Sequence, residues 1–199
     1  MKNPTPKPMV KRLFKNQAAW HAWLAKNHDA PDGVWLHFAK KGSAVATVTY
    51  DEALEVALCF GWIDGQIKTH DADTFVRKFT PRRARSIWSK VNRAKAERLI
   101  EGGHMKAPGM LAIERAREGG EWGGAYDSAR NASVPPDLSA ALDKNKGAAA
   151  FFAKLNGTNR YAVLWRIQTA RDAAIRAARI AEIVKMLAKK ETFHPQKDK

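Results

Sequence analysis

The sequence predicts an α+β fold that is predominantly helical, with a small antiparallel sheet in the N-terminal part and a helical C-terminal part. Runs rich in aromatic and β-branched residues, typical of strands, occur within the first 80 residues. The last 60 residues carry alanine-rich stretches with apolar residues at helical spacing. A stretch rich in Gly, Ser, Asn and Pro, residues 121–136, separates the two patterns and predicts a connecting loop.

The N-terminal part, residues 10–120, begins with a predicted amphipathic helix over residues 13–26. A strand is predicted over residues 34–41, where VWLHFAKK alternates in part between apolar and polar residues. Thr49, followed three residues later by Glu52, has the pattern of a capping box. The next helix is therefore predicted to begin at Thr49 and to end at a glycine, Gly61.

Two further strands are predicted over residues 63–70 and 74–80, joined by a turn at residues 71–73. Ser86 has the residue type of an N-cap, so a long helix is predicted directly after it, with Gly102 and Gly103 as stop signals. A shorter helix is predicted over residues 108–118.

Four helices are predicted in the C-terminal part, residues 137–190. They correspond to DLSAALDKN, GAAAFFAKL, NRYAVLWRIQTAR and DAAIRAARIAEIVKMLAKK. The two ends of the chain lack such patterns, because residues 1–9 are rich in Pro and Lys and residues 191–199 are mostly polar. We predict a disordered leader over residues 1–9 and a flexible tail over residues 191–199.

Cysteine usage and hydropathy predict a cytoplasmic protein. Cys59 is the single cysteine of the chain and lies in an apolar run, so we expect a reduced thiol in the core. No apolar stretch is long enough for a signal-peptide core or for a membrane span. The oligomeric state is left open by the sequence.

The charge is polarised along the chain, which has a formal net charge of +15. Residues 31–75 carry three basic and seven acidic side chains, whereas residues 76–120 carry twelve basic and four acidic ones. A positive field of this size attracts anionic partners. Two kinds of partner follow as hypotheses, a small anionic ligand or a nucleic acid.

The first candidate site is GWIDG, residues 61–65, at a predicted corner between helix and strand. A tight glycine corner can present Trp62 and Asp64 outward together, so that Asp64 accepts hydrogen bonds from a ligand that stacks on Trp62. The alternative is that Trp62 fills the core and Asp64 caps a turn. The residues leave both interpretations open.

The second candidate site is the basic run from Phe75 to Arg98, which holds nine basic residues and one acid. Arg82 and Arg83 follow Pro81 on a loop before the predicted helix, where backbone N–H groups would also favour an anion. The alternative is that these arginines pair with the acids of residues 31–75. A further cluster over residues 154–179 is a weaker candidate, because its arginines suit a solvated helix face and its Tyr and Trp suit the core.

The sequence contains no recognisable catalytic, metal or cofactor motif. The six histidines lack the spacing of metal ligands, and one cysteine cannot found a zinc–thiolate site. We therefore predict no catalytic residues, no metal and no cofactor, and more readily a binding protein than an enzyme. An enzyme with Asp64 as acid or base remains an alternative hypothesis.

Several stretches resemble the YdeI/OmpD-associated family, the bacteriocin-protection proteins. They are VWLHFAKKG, TYDEALEVALCFGWIDGQIK, FTPRRARSIWSKVN and FFAKLNGTNRYAVLWRIQTA. The resemblance implies a role in stress resistance, namely protection against bacteriocins and cationic antimicrobial peptides, without an established catalytic activity. The motifs select as ligand-binding candidates Trp62, Asp64, Arg82, Arg83, Ser86, Trp88, Ser89 and Asn92.

Overall fold

The structure, a computed structural model, describes residues 10–196, which form two compact units. Unit 1 consists of residues 10–86 and 92–122, and unit 2 of residues 87–91 and 123–196. The predicted leader and the last three residues of the predicted tail lie outside the described residues. Eight helices and one four-stranded sheet within the described part confirm the α+β class with a predominance of helix.

Unit 1 carries the sheet and most of four helices. Its strands are β1 (Lys11–Arg12), β2 (Val34–Ala39), β3 (Trp62–Thr69) and β4 (Thr74–Pro81). Its helices are α1 (Gln17–Asn27), α2 (Tyr50–Cys59), α3 (Lys90–Glu101) and α4 (Ala107–Glu118), of which α3 has its first two residues in unit 2.

The sheet is mixed, so the prediction of an antiparallel sheet is wrong in one pairing. The strand order is β1-β2-β4-β3, and β1 pairs in parallel with β2 through Lys11 and Trp35. Helix α1 lies between these two strands in the chain and supplies the crossover that a parallel pair needs. A strand of two exposed, charged residues carries no apolar alternation, which is why the sequence gives no sign of it.

Helix α2 forms as predicted. The Thr49 side chain accepts a hydrogen bond from the Glu52 backbone, and the Glu52 side chain accepts one from the Thr49 backbone. The chain leaves this helix through Gly61, whose φ of 73° is in the left-handed region. The corner places Trp62 at the start of β3, directly opposite Pro81 of β4.

Helix α3 begins at Lys90 rather than directly after Ser86, so the predicted N-cap is wrong. The residues between them are held by long-range backbone contacts: the Tyr126 amide donates to the Trp88 carbonyl at 3.0 Å, and the Lys90 amide donates to the Tyr126 carbonyl at 2.8 Å. Ser89 and Tyr126 form a short parallel bridge. Because these residues are held in extended pairing with Tyr126, the first turn of α3 forms only from Lys90 onward.

The core of unit 1 is aromatic. Trp20 is fully buried and stacks on Trp23 with ring centroids 5.4 Å apart, while Trp62 meets both rings edge to face. The indole N–H groups of Trp20 and Trp62 both have hydrogen-bond partners. Trp20 donates to the Ala53 carbonyl at 3.0 Å, and Trp62 donates to the His28 carbonyl at 2.6 Å. Burial without loss of hydrogen bonds makes this cluster stabilising.

Unit 2 is helical, as predicted. Its helices are α5 (Pro136–Asp143), α6 (Lys146–Ala153), α7 (Gly157–Gln168) and α8 (Ala173–Ala188). Polar N-caps begin three of them: Asn145, Asn156 and Asp172 each accept a hydrogen bond from a backbone amide three residues on. The apolar faces meet in one core, which includes Leu138, Phe152, Val163, Ile167, Ile183 and Leu187.

Candidate functional site

A charged residue occupies a core-facing position of the sheet. Side chains of a strand alternate between its two faces, so Phe75, Arg77 and Phe79 of β4 point the same way. Phe79 is fully buried and Phe75 packs against the core of unit 1. Arg77 between them therefore needs a partner on the core side of the sheet.

That partner is a polar cluster of three residues, Tyr50, Asp64 and Arg77. One carboxylate oxygen of Asp64, Oδ2, accepts hydrogen bonds from the Tyr50 hydroxyl at 3.0 Å and from Nη1 of Arg77. The Arg77 guanidinium lies 4.3 Å from the centroid of the Tyr50 ring. The Asp64 and Arg77 side chains are 16% and 23% exposed, so water screens this pair less than a surface ion pair.

The environment of Tyr50 favours its hydrogen bond to Asp64. Burial raises the pKa of the Tyr50 hydroxyl to about 12, and the charge and hydrogen bond of Asp64 add to the effect while Arg77 opposes it. The hydroxyl is therefore a persistent donor to Asp64 at neutral pH. A β-bulge between Asp64 and Ile67 interrupts the pairing with β4 just beyond the carboxylate.

Sequence reasoning selected Asp64 but missed Tyr50 and Arg77. A signal for Arg77 was present, because FVRKF places a charge between two apolar residues at strand spacing. No comparable signal marks Tyr50, which stands at the first turn of α2 as an ordinary amphipathic residue. Its role depends on the position of β3, which only the tertiary structure specifies.

The second candidate site includes the arginine loop, residues 82–86, which adjoins the GWIDG corner. The Arg82 amide donates to the Gly61 carbonyl at 2.9 Å, which ties the loop to the residue before Trp62. The Ser86 amide then donates to the Arg83 carbonyl at 3.0 Å and closes a turn. Arg85, inside this turn, has a φ of 61°, a conformation that non-glycine residues adopt rarely.

The sequence left open whether the basic residues of this run pair with acidic side chains or remain available to an anion. The structure shows both cases. Ion pairs engage several of the nine basic residues between Phe75 and Arg98: Arg77 with Asp64, Lys90 with Asp127, Arg93 with Glu97, and Lys95 with both Asp51 and Glu55. Arg83 and Arg85 are exposed and form no ion pair with any residue between 10 and 196. Two exposed guanidinium groups without an ion pair in the described residues therefore lie on the loop.

The sequence-selected residues are divided between the two units. Trp62 and Arg82 lie next to each other at the corner, but Trp62 has no exposed surface and packs in the core. Ser86 and Asn92 belong to unit 1, each partly buried. Trp88, which is 2% exposed, and Ser89 belong to unit 2. The full set of eight remains a prediction.

Unit 1 also holds a cavity of about 560 Å³ against the C-terminal end of α2. Its lining includes His21, Glu55, Cys59, His104 and Lys106. Cys59 is 5% exposed, and burial raises the pKa of its thiol to about 11, although the positive charge of Lys106 acts in the opposite direction. A thiol with this pKa is almost entirely protonated at neutral pH, so the cavity does not contain an activated nucleophile.

This shift predicts slow alkylation of Cys59. Relative to a thiol of pKa 9.0 the thiolate fraction near pH 7.5 falls about 100-fold, so we expect iodoacetamide to react with the native protein at least about 100-fold more slowly than with the denatured chain. Mass spectrometry at timed intervals, with and without urea, measures both rates. Equal rates would mean an accessible, activated thiol in the native state.

Residues 10–196 show neither a metal-binding cluster nor a membrane-spanning helix. No group of three or more His, Cys, Asp or Glu side chains is placed to hold a metal ion in this part of the chain. No helix within it combines the length and apolar character needed to cross a bilayer.

The chain is a member of a domain family described as a domain of unknown function (DUF8412), whose model matches residues 12–112, just over half of the 199 residues. A second family model, described as "Bacteriocin-protection, YdeI or OmpD-Associated", matches residues 131–190. This match confirms the predicted family for that part of the chain. No curated protein and no solved structure gives a match.

The two matched regions divide the motifs that carried the resemblance. GWIDG and FTPRR fall within residues 12–112, the region of unknown function, whereas most of FFAKLNGTNRYAVLWRIQTA forms α7 in the region described as bacteriocin protection. The resemblance to the protection family is thus narrower than predicted. Its confirmed part lies in unit 2.

Proposed function

We propose that this chain is a cytoplasmic, non-enzymatic stress-protection protein that binds a small anionic or mixed-polarity ligand on the arginine loop beside GWIDG. The protection role rests on the family match of residues 131–190. The ligand site rests on one observation, the pair of exposed, uncompensated guanidinium groups of Arg83 and Arg85 on a turn with a left-handed arginine. Unusual backbone conformations recur at functional sites.

The surroundings of the loop support an anion over a cation. The Asp64 carboxylate of β3 already pairs with the Arg77 guanidinium, which offsets its attraction for a cationic ligand. Two backbone hydrogen bonds hold the loop in place, one between Arg82 and Gly61 and one between Ser86 and Arg83, so its backbone needs little ordering before a ligand binds. A phosphate or carboxylate group would gain charge-assisted hydrogen bonds there.

The test uses inorganic phosphate as the probe. Changing both Arg83→Gln and Arg85→Gln removes two charges and keeps polar, though shorter, side chains. We expect phosphate binding to weaken about tenfold or more because two charge-assisted hydrogen bonds are lost. Calorimetric titration at fixed ionic strength measures this. Circular dichroism verifies that the variant keeps its fold.

The control variant removes the same number of positive charges, two, from a different part of the chain. Lys144→Gln with Lys146→Gln alters two exposed lysines of unit 2 and should leave phosphate binding unchanged. An equal loss in both double variants would point to the bulk field of the protein and against a site. In cells challenged with a cationic antimicrobial peptide, the arginine variant should protect less well than the lysine variant at matched expression.

The salt dependence of binding separates this proposal from nucleic-acid binding. A nucleic-acid contact along residues 77–98 would involve many cations, so its affinity would fall steeply with salt. Several of those cations are already in ion pairs, which disfavours such a surface. If the protein bound a single-stranded oligonucleotide with an affinity that falls steeply with salt, and did not bind phosphate, the result would favour nucleic-acid binding.

A further inference from the structure

One face of α7 lies outside the core of unit 2 and lines a cavity. The lining residues of α7 are three pairs of neighbours, and each pair lies four residues after the one before, so all of them share one side of the helix. They are Gly157 and Thr158, Tyr161 and Ala162, and Trp165 and Arg166. With Tyr126 and His194 they bound a cavity of about 660 Å³. The sequence predicted Tyr161 and Trp165 as core residues, but both are only half-buried and face this cavity.

The aromatic walls of the cavity are held in place by contacts within unit 2. The rings of Tyr126 and Trp165 meet edge to face, with centroids 6.2 Å apart. The Tyr161 hydroxyl donates to the Asp127 carbonyl at 3.0 Å, which fixes the orientation of that phenol ring. Rings ordered in advance bind a planar group at a low entropic cost.

A guanidinium group lies flat at one end of the same cavity. Arg166 stacks on Phe193, with its central carbon 3.7 Å from the ring centroid. Its Nη1 donates to the Ala162 carbonyl of its own helix at 3.1 Å, and its other N–H groups form no hydrogen bond with residues 10–196. Stacking holds the planar donor group while leaving donors for a carboxylate.

A buried amide secures the segment that carries Phe193 and His194. Asn159 is 1% exposed; its Nδ2 donates to the His194 carbonyl at 3.1 Å, and its Oδ1 accepts from the His194 amide at 3.0 Å. The Gln196 side chain also accepts from the Asn156 amide at 2.8 Å. The wall that Phe193 and His194 form is therefore part of the folded unit.

The charges around the cavity favour an anion. A second cavity of about 390 Å³ shares Trp165 and Arg166 with the first and adds Arg179 and Glu182 to the lining. Nη1 of Arg179 donates to the Arg166 carbonyl at 2.6 Å, so the second guanidinium stays beside the first. Two guanidinium groups against one carboxylate leave a positive excess.

We propose that unit 2 binds a small aromatic carboxylate, with its ring among Tyr126, Tyr161 and Trp165 and its carboxylate on Arg166. The volume lies within the range of about 300–1,000 Å³ that is usual for small-molecule sites. The ring and the anionic group of such a ligand match the two ends of the lining. This site shares no residue with the arginine loop of unit 1 and does not depend on it.

The test compares phenylacetate with phenylacetamide, which has the same shape and no charge. Both are titrated into the full-length, ¹⁵N-labelled protein up to the millimolar range, and the indole resonance of Trp165, assigned through Trp165→Phe, reports the site. We expect phenylacetate to bind about tenfold more tightly than the amide, because a charge-assisted hydrogen bond contributes roughly that factor. Equal affinity, or no shift of the Trp165 resonance, would overturn the proposal.

Two variants of the same helix locate the carboxylate. Arg166→Met should lower the affinity for phenylacetate about tenfold and leave that for phenylacetamide unchanged. Arg160→Met is the matched control, because Arg160 stacks on Phe152 and does not line the cavity. A comparable loss in Arg160→Met would refute the assignment, and if Arg166→Met fails to fold, the comparison of acid and amide on the unmodified protein still decides.

Discussion

The Arg77→Met substitution is expected to lower the free energy of unfolding by about 2–3 kcal/mol, because it leaves the Asp64 carboxylate largely buried without its cation. Fully buried pairs lose about 3–5 kcal/mol when one partner is removed, and the partial exposure of this pair reduces the loss. The Tyr50 hydroxyl still donates to Asp64, but one neutral donor cannot replace the positive charge.

The measurement is urea unfolding followed by tryptophan fluorescence. Unit 1 holds five of the seven tryptophans, so the signal weights the unit that contains the substitution. The matched control is Lys78→Met, the next residue of β4, whose side chain points to the other face of the sheet. We expect Lys78→Met to change stability by no more than about 0.5 kcal/mol.

A double variant separates the ion pair from packing. Asp64→Asn removes the carboxylate charge but keeps an acceptor for Tyr50, so adding Arg77→Met to it should cost less than Arg77→Met alone. The difference is the coupling energy of the pair. Additive losses, or a loss after Lys78→Met as large as that after Arg77→Met, would contradict the central role of the polar cluster.

The Gly109→Ala substitution is expected to destabilise the protein by about 2–3 kcal/mol, against the ordinary rule for helices. In the interior of a helix, Ala is favoured over Gly by about 1 kcal/mol. Here a Cβ atom would lie 2.8 Å from the Cys59 carbonyl carbon and closer to its oxygen, as well as 2.5 Å from the Met105 sulfur. The methionine can move, but the backbone of α2 cannot yield without disturbing the core.

Gly147→Ala provides the contrast. Gly147 lies in the first turn of α6, and a Cβ there would approach nothing closer than Oδ1 of Asn145 at 3.6 Å, an ordinary contact. We expect this variant to be as stable as the unmodified protein or more stable by up to about 1 kcal/mol. Thermal unfolding followed by circular dichroism compares the two variants, and a gain of stability in both would mean that α4 does not approach α2 so closely.

Much of the fold was predictable because its signals are local. The capping box of Thr49 and Glu52 and the N-cap of Asp172 involve residues three apart, and both are present as hydrogen bonds. The strands β3 and β4 were predicted within one residue of their bounds, because their residue types and the intervening turn lie in one continuous segment. Such signals need no knowledge of the remainder of the chain.

The errors share a physical cause, the dependence on partners distant in the sequence. Strand β1 exists only because β2 offers it a parallel edge, and α3 starts late because Tyr126 holds the residues before it. The polar cluster likewise requires a bulged register of β3 and β4 and a helix that presents Tyr50 to both. None of these conditions can be read from a window of neighbouring residues.

By itself, then, the sequence determined the class of the fold, its helices and turns, and the protection family of residues 131–190, since propensity, capping and motif content are properties of short segments. Tertiary structure decided which charges are compensated. It paired Arg77 with Asp64 across two strands, left Arg83 and Arg85 without ion pairs in the described chain, and opened an aromatic cavity along α7. Charge pairing and cavities depend on distances through space, which the sequence alone does not contain.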